Sequence, residues 1–92
     1  MTVLTHSIDE ASLQSTVLEL IVLTLHKKRQ EIKPDTPLFA SDDGFDSFGL
    51  MEFVLRLEDA FDLTIPDSHL DPDVFASMET ILHYIRQRLN RD

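Results

Sequence analysis

The chain has 92 residues and no cysteine, and its 17 Asp and Glu outnumber 8 Lys and Arg, for a formal net charge of −9 at pH 7. This length predicts a single small domain, and the lack of cysteine excludes disulfides and thiolate metal sites. The acidity disfavours nucleic acid and anionic membranes as partners, so we expect basic or neutral partners. The alternative is that the acidity only keeps the protein soluble.

The first predicted element is a helix from about residue 8 to 28. Ser7 and Glu10 have the spacing of a capping box. A broad apolar face follows at helical spacing, in Leu13, Val17, Leu20 and Ile21. We interpret "HKKR", residues 26 to 29, as the last turn, where cations complement the helix dipole, and not as a nucleic-acid patch. The longest apolar stretch, residues 18 to 25, is shorter than the roughly 20 residues that span a bilayer, so we expect a cytoplasmic protein without membrane insertion.

A long loop is predicted over residues 29 to 46, where the helical periodicity stops. Loops of this length in compact domains are usually functional or disordered. A second helix is predicted over about residues 47 to 61, because its apolar residues fall on one line facing the core: Leu50, Val54, Leu57 and Phe61.

The remaining chain predicts a short helical turn over residues 71 to 75 and a last helix over about 78 to 90. Pro72 suits the first position of the short turn, and Ser77 suits the N-cap of the last helix. Four apolar residues of the last helix should point inward: Ile81, Leu82, Ile85 and Leu89. The predicted fold class is therefore all-α, a small four-helix bundle with three longer helices, one short helix and a long loop between helices 1 and 2.

Ser47 lies where the long loop gives way to the second helix. Ser47 or Asp46 can simply cap that helix. A cap alone does not explain Gly49, because glycine inside a helix costs about 0.5–1 kcal/mol relative to alanine. A helix N-terminus favours phosphate, so a phosphorylated group attached through Ser47 would also fit.

Metal and hydrolase chemistry are disfavoured. The histidines lack zinc-ligand spacing and are expected at the surface or partly packed: His6, His26, His69 and His83. The acidic segments do not continue into a calcium loop. The sequence around Ser47 is one residue too long for a hydrolase nucleophile elbow.

The second helix presents a possible contact surface. Its solvent face contains Gly49, Glu52, Arg56 and Asp59. Phe48, Met51 and Leu55 lie between that face and the core, and we call these three residues the apolar shoulder. The shoulder either contacts a partner or packs under the long loop. Arg56 and Glu52 have i,i+4 spacing, which either selects partners through a surface of mixed sign or is only a solvated pair.

The stretch "GFDSFGLMEFVLRLEDAFDLTIPD", residues 44 to 67, resembles the acyl carrier protein family around its phosphopantetheine attachment site. Weaker similarity extends over residues 8 to 89. The resemblance implies that Ser47 accepts 4'-phosphopantetheine from coenzyme A, and that Asp46 belongs to the signature read by the transferase. It implies a carrier that is not an enzyme and that holds its cargo as a thioester. The oligomeric state is left open, with a monomer as the default expectation.

The resemblance also implies partners that dock on the second helix: a phosphopantetheinyl transferase, an acyl- or aminoacyl-activating ligase, and a downstream transferase or synthase. It assigns docking to Glu52, Leu55, Glu58, Asp59 and Ile65, which together with the apolar shoulder, Gly49 and Arg56 form the predicted partner surface. "DSFG" is similar to D-alanyl carrier proteins, and residues 65 to 81 are similar to stand-alone aminoacyl carriers. The alternative, from another class, is an acidic helical adaptor without a prosthetic group.

Overall fold

The computed structural model describes residues 9–39 and 44–90. It contains three α-helices, α1 (Glu10–Leu25), α2 (Ser47–Phe61) and α3 (Met78–Asn90), and two short 3₁₀ helices, Arg29–Glu31 and Asp67–His69. Within the described residues, the β pairing consists of an isolated bridge between Phe39 and Phe45. The predicted all-α bundle is confirmed, and α2 and α3 have the predicted bounds. No helix of the described residues is long and apolar enough to cross a membrane.

Helix α1 ends three residues earlier than predicted. His26 adopts the left-handed conformation with a φ of 58°, and its N–H bonds to the Val22 carbonyl. The Lys27 N–H also bonds to Val22, at 3.3 Å, so the i to i−4 ladder cannot continue. The predicted basic last turn is therefore wrong, because the cations follow the helix and Arg29 instead begins a 3₁₀ helix. The predicted Ser7 cap lies outside the described residues.

Helix α1 packs against both α2 and α3. Its buried residues are Leu13, Val17, Ile21 and Thr24, whereas Leu20, predicted to face the core, is only half-buried.

An ion pair joins the first turn of α1 to α3. The Arg86 guanidinium of α3 donates a hydrogen bond to the Glu10 carboxylate, and this bond is the main cause that lowers the pKa of Glu10 from 4.5 to about 2. The two side chains are 40% and 50% exposed, so solvent screens the ion pair.

The centre of the core is a set of aromatic rings that the helical pattern alone did not identify. The Phe53 ring is fully buried, stacked on Phe45 at 4.8 Å between centroids and edge-on to Phe75 at 6.3 Å. Leu50, predicted in the core line of α2, is instead half-buried. Phe45 and Phe75 come from the loops before α2 and α3, so the two loops complete the core.

The long loop is fixed to the start of α3 by backbone hydrogen bonds. The Leu38 N–H bonds to the Ala76 carbonyl at 2.8 Å, and the Phe45 N–H bonds to the Leu38 carbonyl at 2.7 Å. Leu38 is 1% exposed and anchors the loop in the core. These bonds hold the end of the loop, and therefore the start of α2, against the core.

The short helical turn predicted over residues 71 to 75 is present as a single hydrogen-bonded turn, in which the Phe75 N–H bonds to the Asp71 carbonyl at 3.3 Å, and does not extend into a helix. That segment forms turns, in which the Val74 N–H bonds to the Asp71 carbonyl and the Asp71 carboxylate accepts from the Asp73 N–H at 2.8 Å. The short helix lies earlier, at Asp67–His69, because Pro66 has the fixed φ that favours the turn and accepts the His69 N–H at 2.9 Å. The connector between α2 and α3 thus contains a 3₁₀ helix followed by turns.

Candidate functional site

Asp46, and not Ser47, caps α2. Asp46 has an extended backbone, and its carboxylate accepts a hydrogen bond from the Gly49 N–H at 2.6 Å. Its carbonyl accepts the first helical hydrogen bond, from the Leu50 N–H, at 2.9 Å. Ser47 is consequently the first residue of the helix, is exposed, and has no capping role. The two alternatives for the cap are thereby resolved.

The glycine three residues after the cap makes room for the capping carboxylate. A Cβ atom at Gly49 would lie 3.1 Å from Oδ1 of Asp46 and 3.9 Å from the Phe45 ring. The first distance is tighter than ordinary van der Waals contact, so the carboxylate would have to move and its short bond would weaken. Gly49 therefore fits the tight cap, despite its low helix propensity.

The start of α2 suits a negatively charged group on Ser47. The first-turn N–H groups of a helix have no partner within the helix, and Asp46 occupies only that of Gly49. The first turn of α2 contains no acidic residue. A phosphate ester on the exposed Ser47 hydroxyl would therefore meet backbone N–H donors and the positive end of the helix dipole.

The apolar shoulder of α2 is exposed to solvent. Phe48 is 73% exposed, Met51 47% and Leu55 61%. These values disagree with packing under the long loop and agree with a contact surface. Gly49 lies beside it, half-buried, and Asp59 is exposed one turn beyond Leu55. Exposed apolar side chains bordered by polar ones are typical of protein contact sites.

Two residues predicted on the partner surface, Ile65 and Glu58, are buried or half-buried and have structural roles. Ile65 is 5% exposed and packs in the core, so its assignment to the partner surface is wrong. Glu58 is half-buried, and its carboxylate accepts the Ile65 N–H at 2.7 Å, which ties the connector to α2. Pro66 favours an extended backbone at Ile65, whose side chain is buried and whose N–H bonds to Glu58.

The charged pair predicted on α2 forms. Nη2 of Arg56 lies 3.9 Å from the Glu52 carboxylate, with the two side chains 36% and 45% exposed. Within the described residues, Nε of Arg56 is buried without a hydrogen-bond partner. The ion pair is long and partly solvated, and contributes little to stability.

Among residues 9–39 and 44–90, no three His, Asp or Glu side chains are grouped so that they could hold a metal ion. His69 is partly packed, as predicted, and its Nδ1 lies 2.8 Å from the Tyr84 hydroxyl. His26 and His83 are exposed, and His6 lies outside the described residues.

Sequence reasoning missed Thr24, which is 9% exposed in α1 and whose hydroxyl has no hydrogen-bond partner in the described structure. Its position three residues after Ile21 continues the buried face of α1. The helical wheel therefore indicated its burial, although not its lack of a partner.

The chain is similar to known phosphopantetheine carriers. The family model described as "Phosphopantetheine attachment site" matches residues 15–85. The acyl carrier proteins of Chlorobium phaeobacteroides and Chlorobium luteolum are each 32% identical over 76 residues, covering 83% of this chain and 94% of theirs.

A solved structure is similar in three dimensions. It is the crystal structure of an engineered Bradyrhizobium japonicum glycine:[carrier protein] ligase complexed with carrier protein from Agrobacterium tumefaciens and ATP. The match has a TM-score of 0.70 and 27% identity, covering 82% of this chain and 97% of that chain.

The helical fold and the family match together define a phosphopantetheine carrier domain. The chain belongs to the acyl carrier protein family, and its cofactor is covalently attached 4'-phosphopantetheine.

Proposed function

We propose that this chain is a stand-alone carrier protein that holds an acyl or aminoacyl group as a thioester on a 4'-phosphopantetheine arm attached to Ser47. The capping arrangement supports this assignment, because Asp46 caps α2 and leaves the Ser47 hydroxyl exposed at the positive end of the helix. In the attachment step, Oγ of Ser47 bonds to the phosphorus that bears the pantetheine, and the P–O bond of the pyrophosphate of coenzyme A breaks. Adenosine 3',5'-bisphosphate leaves, and the serine proton passes to the transferase or to water. The attached arm supplies the thiol that bears the cargo.

The chain carries cargo, and its partners perform the chemistry. We propose a phosphopantetheinyl transferase for attachment, a ligase for loading and a downstream transferase or synthase. Their working compartment is the cytoplasm, which agrees with a chain that contains no cysteine. An aminoacyl cargo is favoured by "DSFG" at residues 46 to 49, which is similar to D-alanyl carriers. An aminoacyl cargo is also favoured by the structurally similar chain, whose crystal contains a glycine:[carrier protein] ligase.

The attachment is tested by intact mass after incubation with coenzyme A and a broad-specificity phosphopantetheinyl transferase. We expect wild type to gain one prosthetic group and Ser47→Ala to gain none, because the variant lacks the accepting hydroxyl. Ser77→Ala, at the start of α3, is the matched control and should be modified like wild type. An unmodified wild type would remove the proposal and favour the adaptor, which should bind its partner equally well with Ser47→Ala.

We propose that the ligase docks on the apolar shoulder together with Gly49, Glu52, Arg56, Asp59 and the exposed part of Glu58. The shoulder offers apolar area, and the charged residues fix orientation and select partners. Ile65 is not included because it is buried.

The docking surface is tested with two exposed leucines. Leu55 on α2 is 61% exposed and Leu23 on α1 is 52% exposed, so both tolerate a charge without loss of the core. We expect Leu55→Glu to lower the loading rate by the ligase about tenfold, because the centre of a contact surface loses at least 1–2 kcal/mol. Leu23→Glu should load at the wild-type rate. Equal loading of both variants would place docking elsewhere.

A further inference from the structure

A polar cleft lies beside Ser47, between the end of α1 and the start of α2. Its volume is about 520 Å³, within the range of small-molecule pockets. It is lined by Thr24, His26, Lys27, Glu31, Asp46 and Gly49, among others. The end of α1 at Leu25 and the left-handed turn at His26 bring these α1 and loop residues next to the cap of α2.

One residue that lines the cleft has an unsatisfied hydroxyl. Thr24 lines the cleft, is 9% exposed, and its Oγ1 is buried without a hydrogen-bond partner in the described residues. A threonine in a helix usually bonds a carbonyl in the preceding turn, and this one does not. A buried hydroxyl without a partner is destabilising. A ligand with an amide or hydroxyl group would supply the missing partner.

The chemistry of the cleft matches the prosthetic arm better than a hydrocarbon. The lining carries side chains of both signs, Lys27 against Glu31 and Asp46, and the imidazole of His26 adds a further hydrogen-bonding group. A pantetheine arm is rich in amide groups and bears a hydroxyl, so it can donate and accept hydrogen bonds in such a cleft. Ser47, from which the arm extends, lies between two residues that border the cleft, Asp46 and Gly49.

We propose that the pantetheine arm of the modified protein lies in this cleft, with one of its polar groups hydrogen-bonded to the Thr24 hydroxyl. The proposal rests on attachment at Ser47. It places the resting arm on the α1 side of the attachment point. A partner that docks on the apolar shoulder must then draw the arm out of the cleft before it reacts with the thiol.

The proposal is tested by ¹⁵N-correlation NMR spectra of the unmodified and modified protein. We expect modification of wild type to shift the amide signals of Leu25, His26 and Gly44, besides those next to Ser47. In Thr24→Val, which has nearly the same shape but lacks the hydroxyl, these cleft shifts should fall by roughly half or more because a polar anchor is lost. Thr24→Ser retains the hydroxyl and should restore them.

The outcomes separate this proposal from attachment itself. Intact mass establishes modification of every sample, so failure to modify would overturn attachment at Ser47 and the arm position with it. Complete modification with shifts confined to the neighbours of Ser47 would overturn the arm position alone. Equal cleft shifts in wild type and Thr24→Val would remove the role of the hydroxyl.

A second measurement needs no substitution in the cleft. A nitroxide attached to the arm thiol should broaden the amide signals of Glu31 and Gly44. Broadening confined to the exposed face of α2 would contradict the proposal.

Discussion

Helices α2 and α3 start after similar sequences, in which residues 45–47 read Phe-Asp-Ser and residues 75–77 read Phe-Ala-Ser. The aromatic residue has the same structural role at both helix starts. Phe45 and Phe75 are buried and both contact the Phe53 ring, one stacked and one edge-on. Each helix start is thus anchored to the same core residue, and the difference between the starts arises in the next two residues.

The two serines have different roles because only one is preceded by a side chain that can cap. Ala76 has no acceptor, so Ser77 itself caps α3: its hydroxyl accepts from the Thr80 N–H at 3.4 Å, and the Thr80 hydroxyl accepts from the Ser77 N–H at 3.0 Å. Asp46 can cap, and it does so one position earlier relative to the aromatic residue. Ser77 is 9% exposed, whereas Ser47 is exposed and available for modification.

Removal of each cap should lower the free energy of unfolding, but removal of only one of them should slow the modification of Ser47. We expect Ser77→Ala and Asp46→Ala each to lower the free energy of unfolding by about 1 kcal/mol, because each helix loses its N-cap side chain. Only Asp46→Ala should slow phosphopantetheinylation, since Ser47 can then turn back to cap α2 itself. Urea denaturation measures the first effect, and the rate of mass gain with the transferase measures the second.

The control for the α2 cap is Asp46→Asn, which keeps a capping oxygen but removes the charge. Asparagine caps about as well as aspartate, so the free energy of unfolding should stay within about 0.5 kcal/mol of wild type. If Ser77→Ala slowed modification as much as Asp46→Ala, the proposed division of roles between the two serines would be wrong.

The sequence was sufficient to predict α2 and α3, because both have clear start signals and a regular apolar face. It did not predict the end of α1, because a left-handed histidine has no strong sequence signal and the cations after it resembled a last turn. It also misplaced the short helix, since turns and 3₁₀ helices of a few residues share the same local hydrogen bonds. Phe53 was missed because its burial depends on Phe45 and Phe75, which come from the loops before α2 and α3 and carry no helical periodicity.

The sequence indicated residues for the candidate site but not their geometry. The sequence indicated Asp46 and Ser47, but either could cap α2 until the structure showed the bond to Gly49. The burial of Ile65 depends on how the connector folds back on α2, which no local pattern records. The unsatisfied hydroxyl of Thr24 was equally invisible, because threonine in a helix normally finds a carbonyl partner.

The smallest expected effect tests why α2 has glycine at the position where α3 has Thr80. Gly49→Ala gains helix propensity but pushes a methyl group to 3.1 Å from the Asp46 carboxylate. These effects oppose each other, so in wild type the free energy of unfolding should change by less than about 0.5 kcal/mol. In the Asp46→Ala background the carboxylate is absent, and the same change should stabilise by about 0.5–1 kcal/mol.

Urea denaturation of the four proteins in this double-mutant cycle gives the coupling between the two residues. If Gly49→Ala stabilises more in the Asp46→Ala background than in wild type, glycine is kept at this helix start to preserve the tight cap by Asp46. That cap in turn leaves Ser47 exposed. Stabilisation by the same amount in both backgrounds would mean that the close approach has no energetic consequence. The presence of glycine at position 49 would then need another explanation, such as space for the group proposed on Ser47. The two helix starts would then differ only in how exposed Ser47 and Ser77 are.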